Sequence, residues 1–308
     1  MLDVIVKVLS FVVIIFVGVG AARSSAFGDS AGRLVSRIVF NLTLPAAIVR
    51  AFQTTELEPA LLGLIVLGFL ANALPFFFSL IVYRKKPREE RVIQQANVSG
   101  LNIGCFALSF VQAFFPVSGV VATCLFDAGN SLMSTGGTWA LMRAVVLDAD
   151  DTSTHERMGV FARTLFSSVP FDCYLVLIAL GLGEVRLPPQ FITLIDPIAS
   201  ANSFLSLFMI GLMIRFSLDG RKAVELVRLL GWRFAFATVL SLATVFVLPL
   251  DAGVRQVVAV LAWAPAASTG PLYTLWAGGD EGLAGMANAL TVLVGIVVMT
   301  SLVLVMGV

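Results

Sequence analysis

Charge is what this sequence lacks most. Only 13% of its 308 residues are Asp, Glu, Lys or Arg, against about 25% in soluble domains. A water-soluble fold could not hide a composition that is 58% hydrophobic, with a mean hydropathy of +0.97. Net charge is +1 and no basic run is interleaved with aromatic residues, which removes nucleic acid as a partner. Histidine is nearly missing too. His155 stands alone in a polar stretch beside Glu156, with no second histidine to share a metal. Cys105, Cys124 and Cys173 are scattered through apolar segments without metal-ligand spacing and read as small packing residues. There is no His-Glu-x-x-His, no Gly-x-Ser-x-Gly and no nucleotide-binding motif. Gly181-Leu-Gly-Glu184 approaches the Gly-x-Gly-Asp of membrane aspartyl proteases, but Glu replaces Asp and no Tyr-Asp partner exists. An enzyme is not expected, nor is a cofactor or a metal.

What the chain has instead is apolar sequence in membrane-length runs. A spanning helix needs about 20 mostly apolar residues. On that scale ten segments stand out: 3–22, 33–52, 59–83, 90–113, 118–142, 160–182, 190–214, 224–248, 253–275 and 281–306. The first is not built like a secretory signal, whose charge precedes its apolar run; here Lys7 lies inside the run and the basic flank, Arg23, follows it. Lys and Arg gather in cytoplasmic loops. Assigning alternate loops to opposite sides puts 16 of the 20 on one side and leaves only Lys7, Arg50, Arg186 and Arg255 on the other. The 16 include the run Arg84–Arg91, read as an anchor at the headgroups, and the group Arg215, Arg221, Lys222, Arg228 and Arg233. A missed or invented helix would reverse every later loop and spoil the split. The expectation is an all-α integral membrane protein of an inner or plasma membrane, with ten transmembrane helices and both termini outside.

Two segments make poor helices. Asn97-Val-Ser-Gly-Leu-Asn-Ile-Gly-Cys-Phe106 carries two asparagines, a serine and two glycines inside the fourth. Ala262-Trp-Ala-Pro-Ala-Ala-Ser-Thr-Gly-Pro-Leu-Tyr273 puts Pro265 and Pro271 into the ninth, each removing a backbone donor. The halves of the chain also repeat. Phe40-Asn41-Leu42-Thr43 resembles Ala201-Asn202-Ser203-Phe204, and Asp127-Ala-Gly-Asn130-Ser-Leu132 resembles Gly285-Met-Ala-Asn288-Ala-Leu290, at offsets of 161 and 158 residues. Five helices per repeat is odd, so the second repeat must be inverted. The expected division is 1–147, a cytoplasmic linker at 148–158, and 159–308. Paired interrupted helices in an inverted repeat mark the solute site of secondary transporters.

At these residues the chain resembles the auxin efflux carrier family, whose bacterial members include malonate and malate transporters. Phe40-Asn-Leu-Thr-Leu-Pro45, Gly100-Leu-Asn-Ile-Gly104, Ala264-Pro-Ala-Ala and the basic link Arg84–Arg91 carry the likeness. The resemblance implies two inverted five-helix repeats related in fold to bile-acid sodium symporters. Segments 1, 2, 6 and 7 would form a scaffold panel, through which a homodimer would form. Segments 3–5 and 8–10 would form a core with broken, crossing helices 4 and 9, sliding in an elevator-like cycle. Organic anions are the implied substrates. In one respect the chain departs from the family: no proline follows the glycine-rich part of helix 4 before Pro116, so its break must rest on Gly100 and Gly104.

The candidate site residues follow. Asn102 has an amide suited to a carboxylate, and half-helix starts favour an anion; the same amide could instead satisfy its own broken backbone. Gly104, Pro265, Ala267, Ser268 and Thr269 surround the paired breaks, although hydroxyls also bond back to helix carbonyls. Asn41 and Asn202 would face the crossover or join helices to each other. Asp127 is expensive at a helix centre, by about 2.5–3.5 kcal/mol. With Asn130 it is a candidate for proton coupling or substrate orientation, or a neutral acid holding the break. The expected function is ion-driven transport of a small organic anion, with carboxylates foremost. Protons are the first choice of coupling ion and sodium the second; a sodium-coupled symporter of bile-acid type and a channel are the alternatives.

Overall fold

A lipid bilayer offers the backbone no hydrogen-bond partner, so a chain this apolar must satisfy its own amides within helices. The computed structural model describes residues 2–24, 27–28, 30–53, 59–146, 154–214 and 222–308. Among them every regular element is helical, apart from one isolated β-bridge. Helix α1 (Leu2–Ala22) is followed by α2 (Ala31–Ile38), which runs through a π-helical turn into α3 (Leu44–Gln53). Then come α4 (Gly63–Val82), α5 (Arg88–Asn97) and α6 (Leu108–Phe114), the last entered through a π turn at Ile103–Ala107. Helix α7 (Val117–Leu132) continues through a π turn at Met133–Gly137 into α8 (Thr138–Val145). The second half holds α9 (Thr154–Leu165), α10 (Val169–Leu182), α11 (Pro189–Ser200), α12 (Asn202–Met213) and α13 (Ala223–Phe246). It closes with α14 (Ala252–Leu261), α15 (Thr269–Trp276) and α16 (Glu281–Met306).

Among the described residues, six helical runs are long and apolar enough to cross a membrane: Leu2–Ala22, Ala31–Gln53, Pro59–Val82, Pro189–Met213, Ala223–Phe246 and Glu281–Met306. The protein is therefore a multi-pass, all-helical membrane protein. The outer wall agrees, with Phe246, Val247, Leu194 and Ile81 at least two-thirds exposed. In water such a surface would be a large liability, and lipid tails cover it without cost. The remaining expected segments are divided or more polar. The fourth falls into α5 and α6, the ninth into α14 and α15, and the sixth into α9 and α10. The fifth, α7 to α8, carries its polar side chains inward, with Thr123, Asp127, Asn130 and Thr138 all buried.

Without a hydrophobic force between helices, close contact depends on small residues. Two glycine pairs supply it. Gly18 of α1 and Gly211 of α12 meet so closely that a Cβ on either would run into the other helix's backbone, at Phe208 O or Ile15 O. Gly68 of α4 and Gly129 of α7 do the same, against Phe126 O and Ile65 O.

One arginine has to be moved from where its charge suggested. The loop-charge pattern groups Arg233 with the loop between the seventh and eighth segments, but it lies inside α13 and is only 7% exposed. The reason is a set of backbone acceptors, described below. The expected linker at 148–158 lies largely outside the described residues, as do Arg215, Arg221 and the side chains of His155 and Glu156.

Candidate functional site

The fourth segment stops being helical after Asn97 and starts again at Ile103. Gly100 makes the turn possible: its φ of +82° is a region that strains any residue with a Cβ. The ninth segment stops at Leu261 and restarts at Thr269. Between them Pro265 contributes no N–H to be satisfied. The two gaps lie against each other. Leu101 and Ala266 form an antiparallel bridge; Asn102 N–H donates to Pro265 O at 2.8 Å and Ala267 N–H to Gly100 O at 3.0 Å. Each interrupted helix thus satisfies part of the backbone that the other has freed.

Side chains complete that accounting. Asn130 of α7 holds Leu101 by both backbone groups: its Nδ2 donates to Leu101 O at 3.0 Å and its Oδ1 accepts from Leu101 N–H at 3.1 Å. Asn288 of α16 does the matching work on the other break, donating to Ala266 O at 2.9 Å and Ala267 O at 3.3 Å. Thr291 Oγ1, one turn along α16, accepts from Ala266 N–H at 2.9 Å. Asn72 of α4 accepts from Gly100 N–H at 2.7 Å. Arg233 closes the end of α5: Nη1 donates to the carbonyls of Asn97, Val98 and Ser99 at 2.7–3.1 Å, and Nη2 to Gly100 O at 3.0 Å. The last carbonyls of a helix carry its negative dipole end and have no intrahelical donor. That is why a guanidinium is found at this depth.

Asp127 is buried, at 5% exposure. Tyr174 OH of α10 donates to its Oδ2 at 2.6 Å and Asn130 Nδ2 to its Oδ1 at 2.7 Å. One chain of hydrogen bonds therefore runs Tyr174, Asp127, Asn130, Leu101, from a neighbouring helix to the break. Among the described residues, Asp127 and Arg233 are the buried members of the Asp, Glu, Lys and Arg set. They approach the fourth-segment break from different helices.

The structure distributes the expected residues unevenly. Asn102, Pro265 and Ala267 are brought together by the bridge. Asn102 is 7% exposed, and its side-chain amide makes no hydrogen bond with any described residue. Ser268 is half-buried at the start of α15, with no side-chain capping bond. Thr269 spends its hydroxyl on Ser134 O at 2.9 Å, in the π turn between α7 and α8. Asn202 is fully buried, accepting from Thr43 Oγ1 at 3.0 Å and Ser206 Oγ at 3.3 Å. Ser206 in turn reaches Cys105, so this group abuts the second half of the broken fourth helix.

Three expectations need correction. Asn41 is exposed and its amide bonds back to Arg37 O at 2.8 Å, so it does not face the crossover; Thr43, two residues on, is the one that meets Asn202. Gly104 does not make the break. It lies in the π turn after it, and a Cβ there would sit 2.9 Å from Leu44 Cδ2 and 3.2 Å from Asp127 Oδ2. Pro271 does not break a helix either. It falls in the first turn of α15, where a missing N–H costs nothing.

Sequence reading passed over Asn72, Tyr174, Arg233 and Thr291. A signal existed for two of them. Asn72 is a lone amide in the apolar run of α4, and Arg233 lies inside the eighth segment's own limits. Nothing in the sequence marks Tyr174 or Thr291, whose roles depend on which helix lies alongside.

An all-helical membrane chain whose two interrupted helices pair at their breaks around buried polar groups has the build of a membrane transport protein. The family model described as membrane transport protein matches residues 3–156, half of the chain. The chain belongs to this family, that of the auxin efflux carriers. No curated protein matches the sequence.

Proposed function

We propose that this protein is a secondary active transporter of a small organic anion, with carboxylates as the substrate class. The observation that carries the reading is Asn102: at the paired breaks of two helices, its side-chain amide has no partner among the described residues yet stays accessible. An accessible amide N–H with no protein acceptor is free to donate to a carboxylate. The helical run Ile103–Phe114 begins directly after it, and first-turn N–H groups with no intrahelical acceptor favour an anion.

In this reading the chain crosses the membrane ten times as two inverted five-helix repeats. The matched grips of Asn130 on Leu101 and of Asn288 on Ala266 support that symmetry. Helices α4–α8 and α13–α16 would move as a core against α1–α3 and α9–α12, in an elevator-like cycle. Coupling would pass through Asp127. As a carboxylate it accepts from both Tyr174 and Asn130. A proton on Oδ1, the oxygen that Asn130 holds, would turn it into a donor, so Asn130 would have to swap its amide ends or lose that bond. Its grip on Leu101 would change with it, which links protonation to the break.

The test is uptake of labelled malonate, malate, succinate, monocarboxylates and indole acetate into proteoliposomes. Saturable, gradient-driven accumulation of at least one is expected, and ohmic flux would instead make the protein a channel. Asn102→Ala should lose most of the uptake. Asp127→Asn should keep exchange but lose accumulation driven by a pH gradient. Wild-type behaviour in both variants would overturn the proposed site, and dependence on a sodium gradient alone would overturn proton coupling.

A further inference from the structure

A cavity of about 260 Å³ lies between α4 and α13 and reaches the crossover from the outer apolar wall. Its lip carries Leu70, Leu74 and Val239, all exposed, and its sides carry Phe234, Trp263 and Leu240. Its floor is the broken backbone itself, at Gly100, Leu101, Ala262 and Ala264, together with Asn72, Thr291 and Arg233. Ligand cavities run to about 300–1,000 Å³ and are mostly apolar, with a few polar groups that fix orientation. This one falls just below that range, which suits a compact ligand.

Arg233 sets its chemistry. The four carbonyls it holds offer dipoles but no net negative charge, and no carboxylate pairs with it among the described residues. A guanidinium has five N–H donors. The bonds to the α5 carbonyls use Nη1 and one N–H of Nη2. Nε–H and the second Nη2–H make no hydrogen bond within the described residues. A buried cation without a counter-ion is costly, and an anion relieves that cost. A single carboxylate would do so. A second carboxylate on the same ligand would face only apolar wall.

We propose that the α4–α13 cavity is a binding site for a compact, mostly apolar monocarboxylate, held by Arg233 at its floor and by Phe234, Trp263 and Leu240 around its body. The proposal extends the transport reading but is tested by binding alone, so a protein that binds without transporting would cost only the transport reading.

Trp263 is a reporter in the wall. Protein in phosphatidylcholine nanodiscs is titrated with 4-bromobenzoate, whose bromine quenches indole fluorescence on contact. The amide 4-bromobenzamide serves as the uncharged isostere and 4-bromophthalate as the dianion. Saturable quenching by the monocarboxylate is expected, with the other two at least about tenfold weaker, the loss of one charge-assisted hydrogen bond. Trp263→Phe should remove the saturable component. Ala237→Phe fills the cavity one turn from Arg233 and leaves the arginine's carbonyl bonds in place. It should abolish saturable quenching while the melting temperature stays near wild type. Arg233→Lys should weaken binding, and a melting curve checks that it still folds. Quenching that never saturates, or that is equal for carboxylate and amide, means lipid tails fill the cavity and overturns the proposal. So does undiminished binding by Ala237→Phe.

Discussion

Gly100 and Asn288 show how much of this site rests on single residues. Gly100 holds a φ of +82°, and a Cβ there would come within 3.0 Å of the Ala267 Cβ across the bridge. Gly100→Ala should therefore destabilise by about 1–3 kcal/mol, read as a lower melting temperature in detergent. Asn288→Ala removes the donor from two buried carbonyls of the other break. The expected loss is about 1–3 kcal/mol; a melt unchanged from wild type would show that those carbonyls find water instead. Both residues stood out in the sequence for local reasons, Gly100 within a polar interruption and Asn288 as the repeat partner of Asn130. Asn41 stood out for the same kind of reason and misled. An asparagine in an apolar run is a signal of polarity, but the helix face it occupies is decided by the neighbours, and here Thr43 has the inward position.

At the scale of the helix, ends matter more than middles. Helix α16 starts at Asp280, whose Oδ1 accepts from Leu283 N–H at 3.0 Å. Its other oxygen pairs with Lys222, at the start of α13. The lysine ammonium beside it is the main cause that holds the Asp280 carboxyl below the ordinary carboxylate value. The sign follows from that depression. The ion pair and cap contribute stability above the unfolded-state value of about 3.9, and that contribution is lost as pH falls through the lower folded value. Asp280→Ala should lower the melting temperature at neutral pH by the cost of an N-cap, about 0.5–2 kcal/mol. The difference from wild type should shrink as pH drops below about 4. Close helix contacts are the second lever. Gly129→Leu would drive a side chain into the backbone of α4 at Ile65, and failure to recover a folded monodisperse protein is the expected result. Gly63→Leu, where a Cβ meets nothing, should behave as wild type.

For the whole molecule, the proposed ten crossings make a prediction about sidedness. Cys105 and Cys124 are buried, and with the half-buried Cys173 replaced by Ser, added cysteines can be labelled over a low background. With a membrane-impermeant thiol reagent on intact cells, cysteines at positions 2 and 307 should be modified from outside. Lys85→Cys should be modified only after the membrane is opened. Labelling of Lys85→Cys from outside would reverse the topology, and opposite sides for the two termini would mean an odd number of crossings.

Residue chemistry alone was enough to establish a multi-pass helical membrane protein, to locate its two interrupted stretches and to point to the auxin efflux carrier family. Those conclusions rest on bilayer thickness, backbone satisfaction and proline and glycine chemistry, which act within about 20 residues and so leave a local trace. Partners did not leave such a trace. The tertiary structure decided that Leu101 pairs with Ala266, that Asp127 answers to Tyr174, and that Arg233 belongs to the α5 carbonyls instead of the cytoplasmic loop. An arginine looks the same in sequence whether its donors meet headgroups or a broken helix, and only the helix packed beside it makes the difference.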